Sequence, residues 1–393
     1  MQIAGVICEY NPFHTGHAWQ LAEMRRRGAE AVVCCMGGSF TQRGDCAVVR
    51  KHARAEAALR GGADLVLELP LPWATASAEG FARGGAEVLR ATGVVDTLAF
   101  GSECADTARI LRVAEALASD VFAEALQSEL VKGDSFAASR QRAVSSLIGA
   151  DAEILSAPND ILGVEYAKAL RGTALTLLAL PRMGTAHDGG ASGGYASASH
   201  IRAQLLRGDD APCLTPEMRA LYEAERTAGR APVSMAALER AVLARLRSMD
   251  EAEFAACDEG GEGLYHRFYE AVHSAATLDG VLDAAKTKRY AYVRLRRMAL
   301  SAFLGVTPDM RRESVPYIRV LGMNSRGKAL LHEMRTAAAL PVAVKPADAC
   351  ALSPAARRLM ELEARATDLY ALAYPDLSQS ACGAEWRTNP VIL

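Results

Sequence analysis

No apolar run in this 393-residue chain approaches the roughly 18 residues that a membrane helix needs. No basic stretch leads into an apolar core at its start either, so we expect neither a membrane span nor a secretory signal. No CxxC pair occurs among the nine cysteines, and their odd number in a long chain argues against a disulfide framework. Cys34 and Cys35 lie side by side in an apolar run, where buried core thiols belong. An excess of either charge is missing too: the formal net charge is −2 and the isoelectric point near 6.5. That excludes a protein coated in positive charge, so any nucleic-acid site must be a local basic patch. No internal repeat, low-complexity tract or cage of carboxylates stands out. What remains reads as a soluble, cytoplasmic protein. Half of its residues are hydrophobic, ample for two domains' cores.

The first half alternates short apolar runs with amphipathic stretches. Ile3–Ile7, Ala31–Cys35, Leu65–Leu67, Thr97–Phe100 and Thr176–Leu180 read as strands. Ala18–Arg27, Ala53–Arg60, Ala78–Ala91, Ala105–Leu117, Ala123–Val131 and Phe136–Leu147 read as helices between them. This repetition predicts an α/β domain over 1–210, a doubly wound parallel sheet closed by a helix starting near Ser197. From 211 to 393 the pattern turns helical, with Pro216–Ala228, Met235–Ser248, Leu264–Ala275, Val281–Phe303 and Ala355–Ala373. Two β-like pieces, Tyr317–Leu321 and Val342–Val344, interrupt this mostly helical second domain.

The densest chemical signal follows the first strand: Glu9-Tyr10-Asn11-Pro12-Phe13-His14-Thr15-Gly16-His17. A strand, a turn and then His-x-Gly-His opening a helix would aim two imidazoles and free backbone N–H groups at an anion. Fixed donors there lower the barrier to attack on the α-phosphorus of ATP, because the transferring phosphate gathers negative charge. The competing readings are two surface histidines or a zinc pair, though a metal pair normally has a third ligand nearby. Gly37–Gly44 (GGSFTQRG) follows the second strand at the same sheet edge, where Gln42 and Arg43 add donors; alone it reads as a plain turn. Gly101 ends another strand and would let a nucleotide lie against the backbone. Asn159 either caps a helix or reads an adenine edge. Arg182, the His187-Asp188 loop and Ser197-Ala198-Ser199-His200-Ile201-Arg202 suit a phosphate cradle, the alternative being an N-cap at Ser197 and a solvated Arg202. Between Lys286 and Arg297 lie six basic residues (Lys286, Lys288, Arg289, Arg294, Arg296, Arg297) and two tyrosines, Tyr290 and Tyr292. Such a cluster suits RNA, through phosphate contacts and base stacking, or is a helix face paired with acids.

Taken in order, GVICEYNPFHTGH, GGSFTQRG, GADLVLELP, FGSE, PNDILGVEY, SASHIR, EGLYHR, KTKRYAYVRLRRM and YIRVLGMN resemble the bacterial tRNA(Met) cytidine acetate ligases over nearly the whole chain. The resemblance implies a HUP-type, Rossmann-like nucleotide-binding domain with an appended helical one. It also implies two steps: acetate attacks ATP to give acetyl-adenylate and pyrophosphate, and the acetyl group then passes to the wobble cytidine of elongator tRNA(Met), giving N4-acetylcytidine and AMP. By position, Ile7, Cys8, Glu9, Tyr10, Asn11, Pro12, Phe13, His14, Thr15, Gly16, His17, Ala18, Trp19 and Gln20 match the ATP-contacting segment, joined by Gly101, Asn159 and Arg182. On this resemblance His14 and His17 would take the catalytic role at the α-phosphate, Ser197, Ser199 and Arg202 would assist the phosphates, and the basic segment would hold the anticodon stem. Mg²⁺ is expected to arrive with ATP rather than in a protein metal site, and no stable protein partner is implied. The chain departs from the family pattern at Asp160, where a second Asn is common, at Ser39, at Arg50-Lys51 in place of Asp-Lys, and at Ala186.

Two other functions compete. A small-molecule adenylyltransferase would keep AMP on its product but has no use for the basic segment. A non-catalytic RNA-binding protein would have no use for His-x-Gly-His.

Overall fold

The computed structural model describes residues 2–132, 136–183 and 194–393. The expectations placed on Ala186, His187 and Asp188 lie outside them. Five strands run parallel: β1 (Ile3–Cys8), β2 (Ala31–Gly37), β3 (Leu65–Leu69), β4 (Thr97–Ser102) and β5 (Thr176–Pro181). Their order is β5-β4-β1-β2-β3, so the direction of winding reverses between β1 and β4. A crevice opens at the carboxyl ends of the strands at such a switch point.

Because successive strand residues face opposite sides, the apolar runs feed two cores at once. Val33 and Cys35 point into one layer and Val32 and Cys34 into the other, which is why neighbouring cysteines are both fully buried. All nine cysteines are free.

Past residue 211 the chain is mostly helical, as its periodicity predicts. Its β-like pieces do not interrupt a separate helical body, however. β6 (Ile318–Met323) pairs antiparallel with β3, and β7 (Val342–Ala343) and β8 (Val391–Ile392) pair with β6 in turn. A buried ionic cluster fastens this junction. Lys51 Nζ lies 2.5 Å from Glu68 and 2.8 Å from Glu385, and Arg319 bonds both carboxylates. Burial among these acids pushes the neighbouring Glu363 carboxyl up to about 8, while its Oε1 accepts the Leu71 amide.

The helix expected over Val281–Phe303 is two helices, Leu278–Ala285 and Tyr292–Leu304. Thr287 causes the break: its hydroxyl accepts from the amides of Arg289 (3.1 Å) and Tyr290 (3.2 Å), bonds that compete with the helical ladder.

Candidate active site

At the switch point lies a cavity of about 380 Å³. β1 supplies Ile7 and Cys8, and the turn after it supplies Glu9, Tyr10 and Asn11. Helix Thr15–Arg26 brings Gly16, His17, Trp19 and Gln20, with His14 as its N-cap. Phe100 and Gly101 come from β4, Arg182 follows β5, Asn159 lies in helix Pro158–Ala169, and Arg202 in helix Ala198–Arg207. Fourteen of the residues expected to bind ATP therefore line one cavity although they are spread over nearly 200 positions. Pro12, Phe13, Thr15, Ala18, Ser197 and Ser199 are not among its lining residues.

The two histidines are held in a defined state. His14 Nδ1 accepts the Gly16 amide at 3.0 Å, so a neutral ring carries its proton on Nε2. A side chain at position 16 would not allow this, since a Cβ there would lie 2.9 Å from His14 Cε1. The middle residue of the His-x-Gly-His motif is thus a glycine for steric reasons. Burial, with Arg182 and Arg202 nearby, lowers His14 to about 4. His17 stacks on His14 with ring centroids 3.7 Å apart and packs beneath Tyr10 at 4.8 Å. Burial, His14 and Arg182 hold it well below the ordinary imidazole value, and its buried Nδ1 has no hydrogen-bond partner among the described residues. Both rings are neutral at pH 7.

The helix-end amides expected to meet an anion are already engaged. Thr15 N–H donates to Cys213 O and Gly16 N–H to His14. Donation into the cavity falls instead to imidazole and guanidinium groups. Arg202 is no solvated cation: its Nη1 donates to Asn11 O at 2.8 Å and its Nη2 to Ser199 Oγ at 3.1 Å. Ser197 Oγ caps its helix by accepting the His200 amide. Both serines thus work behind the wall, anchoring the helix that presents Arg202.

Asn159 does not cap its helix, which starts from Ala157. Its Nδ2 donates to Glu103 Oε1 at 2.5 Å, the oxygen that also takes Arg182 Nη1 at 3.1 Å. Glu103 is in turn fixed through Asp160, whose carboxylate accepts Ser102 Oγ and the amides of Glu103 and Cys104. Glu103 stands in the sequence only as the last residue of the FGSE motif; its role of joining Asn159 and Arg182 comes from contacts 56 and 79 positions apart.

The loop after β2 is part of the wall through Gln42 and Arg43. Arg54, fully buried, ties it to β1 by donating to the carbonyls of Glu9, Gly37, Gly38 and Val49. Gln42 N–H donates to Glu9 Oε1 at 2.7 Å. Glu9 is the sole carboxylate among the described lining residues, and burial raises its carboxyl above the usual range against the pull of Arg202, Arg54 and Arg43. Ile7, Phe81, Phe100 and Leu162 form an apolar part of the wall, where beyond Ile7 the sequence pattern alone reads these residues as core. Among the described residues no group of three or more His, Cys, Asp or Glu is arranged to hold a metal.

The basic segment divides. Arg297 is buried against Glu259 at 2.5 Å, and Arg294 pairs with Glu259 and Glu262. Tyr290 is buried with its hydroxyl on Glu262 O. Lys288, Arg289, Arg296 and Tyr292 are exposed, and Lys286 is half-buried.

Residues 1–384 match the model of the HIGH Nucleotidyl Transferase family. The tRNA(Met) cytidine acetate ligase of Acetivibrio thermocellus is 36% identical over the full length of both chains. That of Syntrophomonas wolfei is 33% identical over 100% of this chain and 99% of its own. Among solved structures, apo Thermotoga maritima TmcAL superposes with a TM-score of 0.96 at 31% identity, and the same protein bound with alpha-thio ATP with 0.93, each over 100% of both chains. Together with a neutral histidine pair set in an arginine-lined cavity, these likenesses establish that the chain belongs to the HIGH nucleotidyl transferases and, among them, to the tRNA(Met) cytidine acetate ligase family.

Proposed function

We propose that this chain joins acetate to the wobble cytidine of elongator tRNA(Met) in two steps at one cavity. In the first, an acetate oxygen attacks the α-phosphorus of ATP and pyrophosphate leaves. Charge builds on the α-phosphate oxygens in that transition state, and donors aimed there do most of the work. The observation that carries this reading is the locked histidine pair. His14 presents Nε2–H because Nδ1 is occupied, and neutral donors cost less to bury than imidazolium. Arg182 and Arg202 supply the compensating charge. The apolar wall suits an adenine face and a methyl group. Mg²⁺ fits as a companion of the triphosphate, because the one carboxylate among the described lining residues is too few for a protein cage. In the second step the N4 amine of cytidine attacks the acetyl carbon and AMP leaves. The exposed cations Lys288, Arg289 and Arg296 hold the tRNA, which favours this acceptor over a small molecule. The use of ATP and tRNA as substrates supports a cytoplasmic location.

The test is acetate-dependent exchange of labelled pyrophosphate into ATP without tRNA. Exchange by the unaltered protein and its loss in His17→Ala are expected. Exchange that ignores acetate would refute the first step.

A further inference from the structure

Resting on that function, we propose that Glu9 is the proton acceptor for the transfer step, a catalytic residue on the side of the cavity that faces the tRNA-binding helix. A carboxylate in a wall built for phosphates repels the nucleotide and requires a reason. Glu9 stands there as the sole acid among the described lining residues, beside His14, His17, Arg43, Arg182 and Arg202. Its Oε1 is held by the Gln42 amide, and its other oxygen has no hydrogen-bond partner among the described residues.

Its location joins the two halves of the reaction. The loop that holds Glu9 continues from Gln42 to Gly44, and Gly44 lies flat on the basic helix. A Cβ at Gly44 would come 2.7 Å from the Arg296 carbonyl carbon and 2.8 Å from the Arg297 nitrogen. A second, small cleft of about 110 Å³ opens there, lined by Gly44, Asp45 and Arg296 among others. The loop whose Gln42 amide holds Glu9 thus also rests, at Gly44, on the helix that carries the exposed Arg296.

In the step itself the N4 nitrogen forms a bond to the acetyl carbonyl carbon. The carbon–oxygen bond to the adenylate phosphate breaks, and AMP leaves with its electron pair. One N4 proton passes to the Glu9 carboxylate and from there to solvent. The other candidates are poor acceptors. His14 already carries its proton on Nε2, His17 is held neutral and weakly basic in the stack, and burial keeps the Cys8 thiol and Tyr10 phenol protonated. The groups facing Glu9 are the guanidiniums of Arg43, Arg54 and Arg202 and the Gln42 amide, none of which takes a proton at neutral pH.

Glu9→Gln separates the roles, since its amide oxygen still accepts the Gln42 N–H. We expect single-turnover transfer from pre-formed acetyl-adenylate to tRNA to fall roughly a hundredfold or more beyond whatever fall acetate-dependent pyrophosphate exchange shows. The acid limb of the transfer rate, where Glu9 protonates, disappears in the variant. Transfer at the normal rate would overturn the proposal and leave Glu9 as an anchor for the loop. Loss of exchange together with a raised Mg²⁺ requirement would overturn it as well, placing Glu9 with the nucleotide's metal. Failure of the parent function has a different pattern: the unaltered protein itself shows no acetate-dependent exchange, and this inference falls with it.

Discussion

Asp160 stands where the family commonly carries asparagine, and the structure says what the change would cost here. Its Oδ1 accepts Ser102 Oγ at 2.5 Å and Glu103 N at 3.0 Å, and its Oδ2 accepts Cys104 N at 3.1 Å. Every partner is a donor, and the side chain is 1% exposed. In Asp160→Asn one oxygen becomes an NH2 group. Whichever way the amide turns, a donor faces a donor. Losing one bond to a charged acceptor costs about 1.5–3 kcal/mol, and the surviving bonds lose their charge assistance. For a chain of 393 residues a total of about 3 kcal/mol corresponds to a fall in melting temperature of roughly 3–4 °C. The damage also reaches the nucleotide, because the 102–104 turn aims Glu103 at both Asn159 and Arg182. We therefore expect the KM for ATP to rise several-fold in pyrophosphate exchange, with a smaller change in kcat. Thermal melts with and without ATP provide the stability reading. A variant that melts within one or two degrees of the parent, with unchanged KM, would refute the reasoning, because the carboxylate would then not be organising the turn.

Other expectations follow from the same geometry. His14→Ala removes the donor and the ring that His17 stacks on, so adenylate formation should fall by at least about a hundredfold, while filter-binding of tRNA stays unchanged. Stability should depend on the imidazoles with a definite sign. His14 titrates near 4 when folded against an ordinary 6.5, so the folded state holds fewer protons. Its contribution of about 3 kcal/mol is complete above pH 6.5 and is lost as the pH falls toward 4, and urea melts of His14→Asn should show a shallower acid slope. Reversing exposed charges with Lys288→Glu and Arg296→Glu should weaken tRNA binding and lower the slope of log K against log salt by about 2, leaving pyrophosphate exchange intact. Arg297→Glu should instead lower the melting temperature, since that side chain is buried against Glu259. Gly44→Ala places a Cβ against the helix backbone at a φ of +74°, and should depress transfer to tRNA more than adenylation.

Much of this site was legible in sequence because its positions depend on local order. Strand, turn and helix in succession put His14 and His17 at the carboxyl edge of β1, and parallel winding brought Gly101 and Arg182 to the same edge. What escaped the sequence depends on contacts between distant segments. Glu103 is defined by partners that meet only when β4, β5 and helix Pro158–Ala169 converge. Phe81 and Phe100 look identical to core residues in a hydropathy pattern, and only the geometry opens them to the cavity. The basic segment looked uniform because charge is read per residue. Pairing with Glu259 and Glu262 keeps Arg294 and Arg297 out of the exposed set, while Arg289 reaches Glu262 and stays exposed, and those acids lie 32 to 38 positions from Arg294 and Arg297. The β6 strand was visible as a strand, but its place beside β3 follows from the buried pairing of Arg319 with Glu68, which no periodicity encodes.

The measurement that bears most directly on the account combines the purified protein with ATP, Mg²⁺, labelled acetate and elongator tRNA(Met), followed by digestion and nucleoside analysis. The account predicts label in N4-acetylcytidine, dependent on both ATP and the tRNA and absent with His17→Ala. Pyrophosphate release without labelled nucleoside, from protein shown to be folded and tRNA shown to bind, would contradict it.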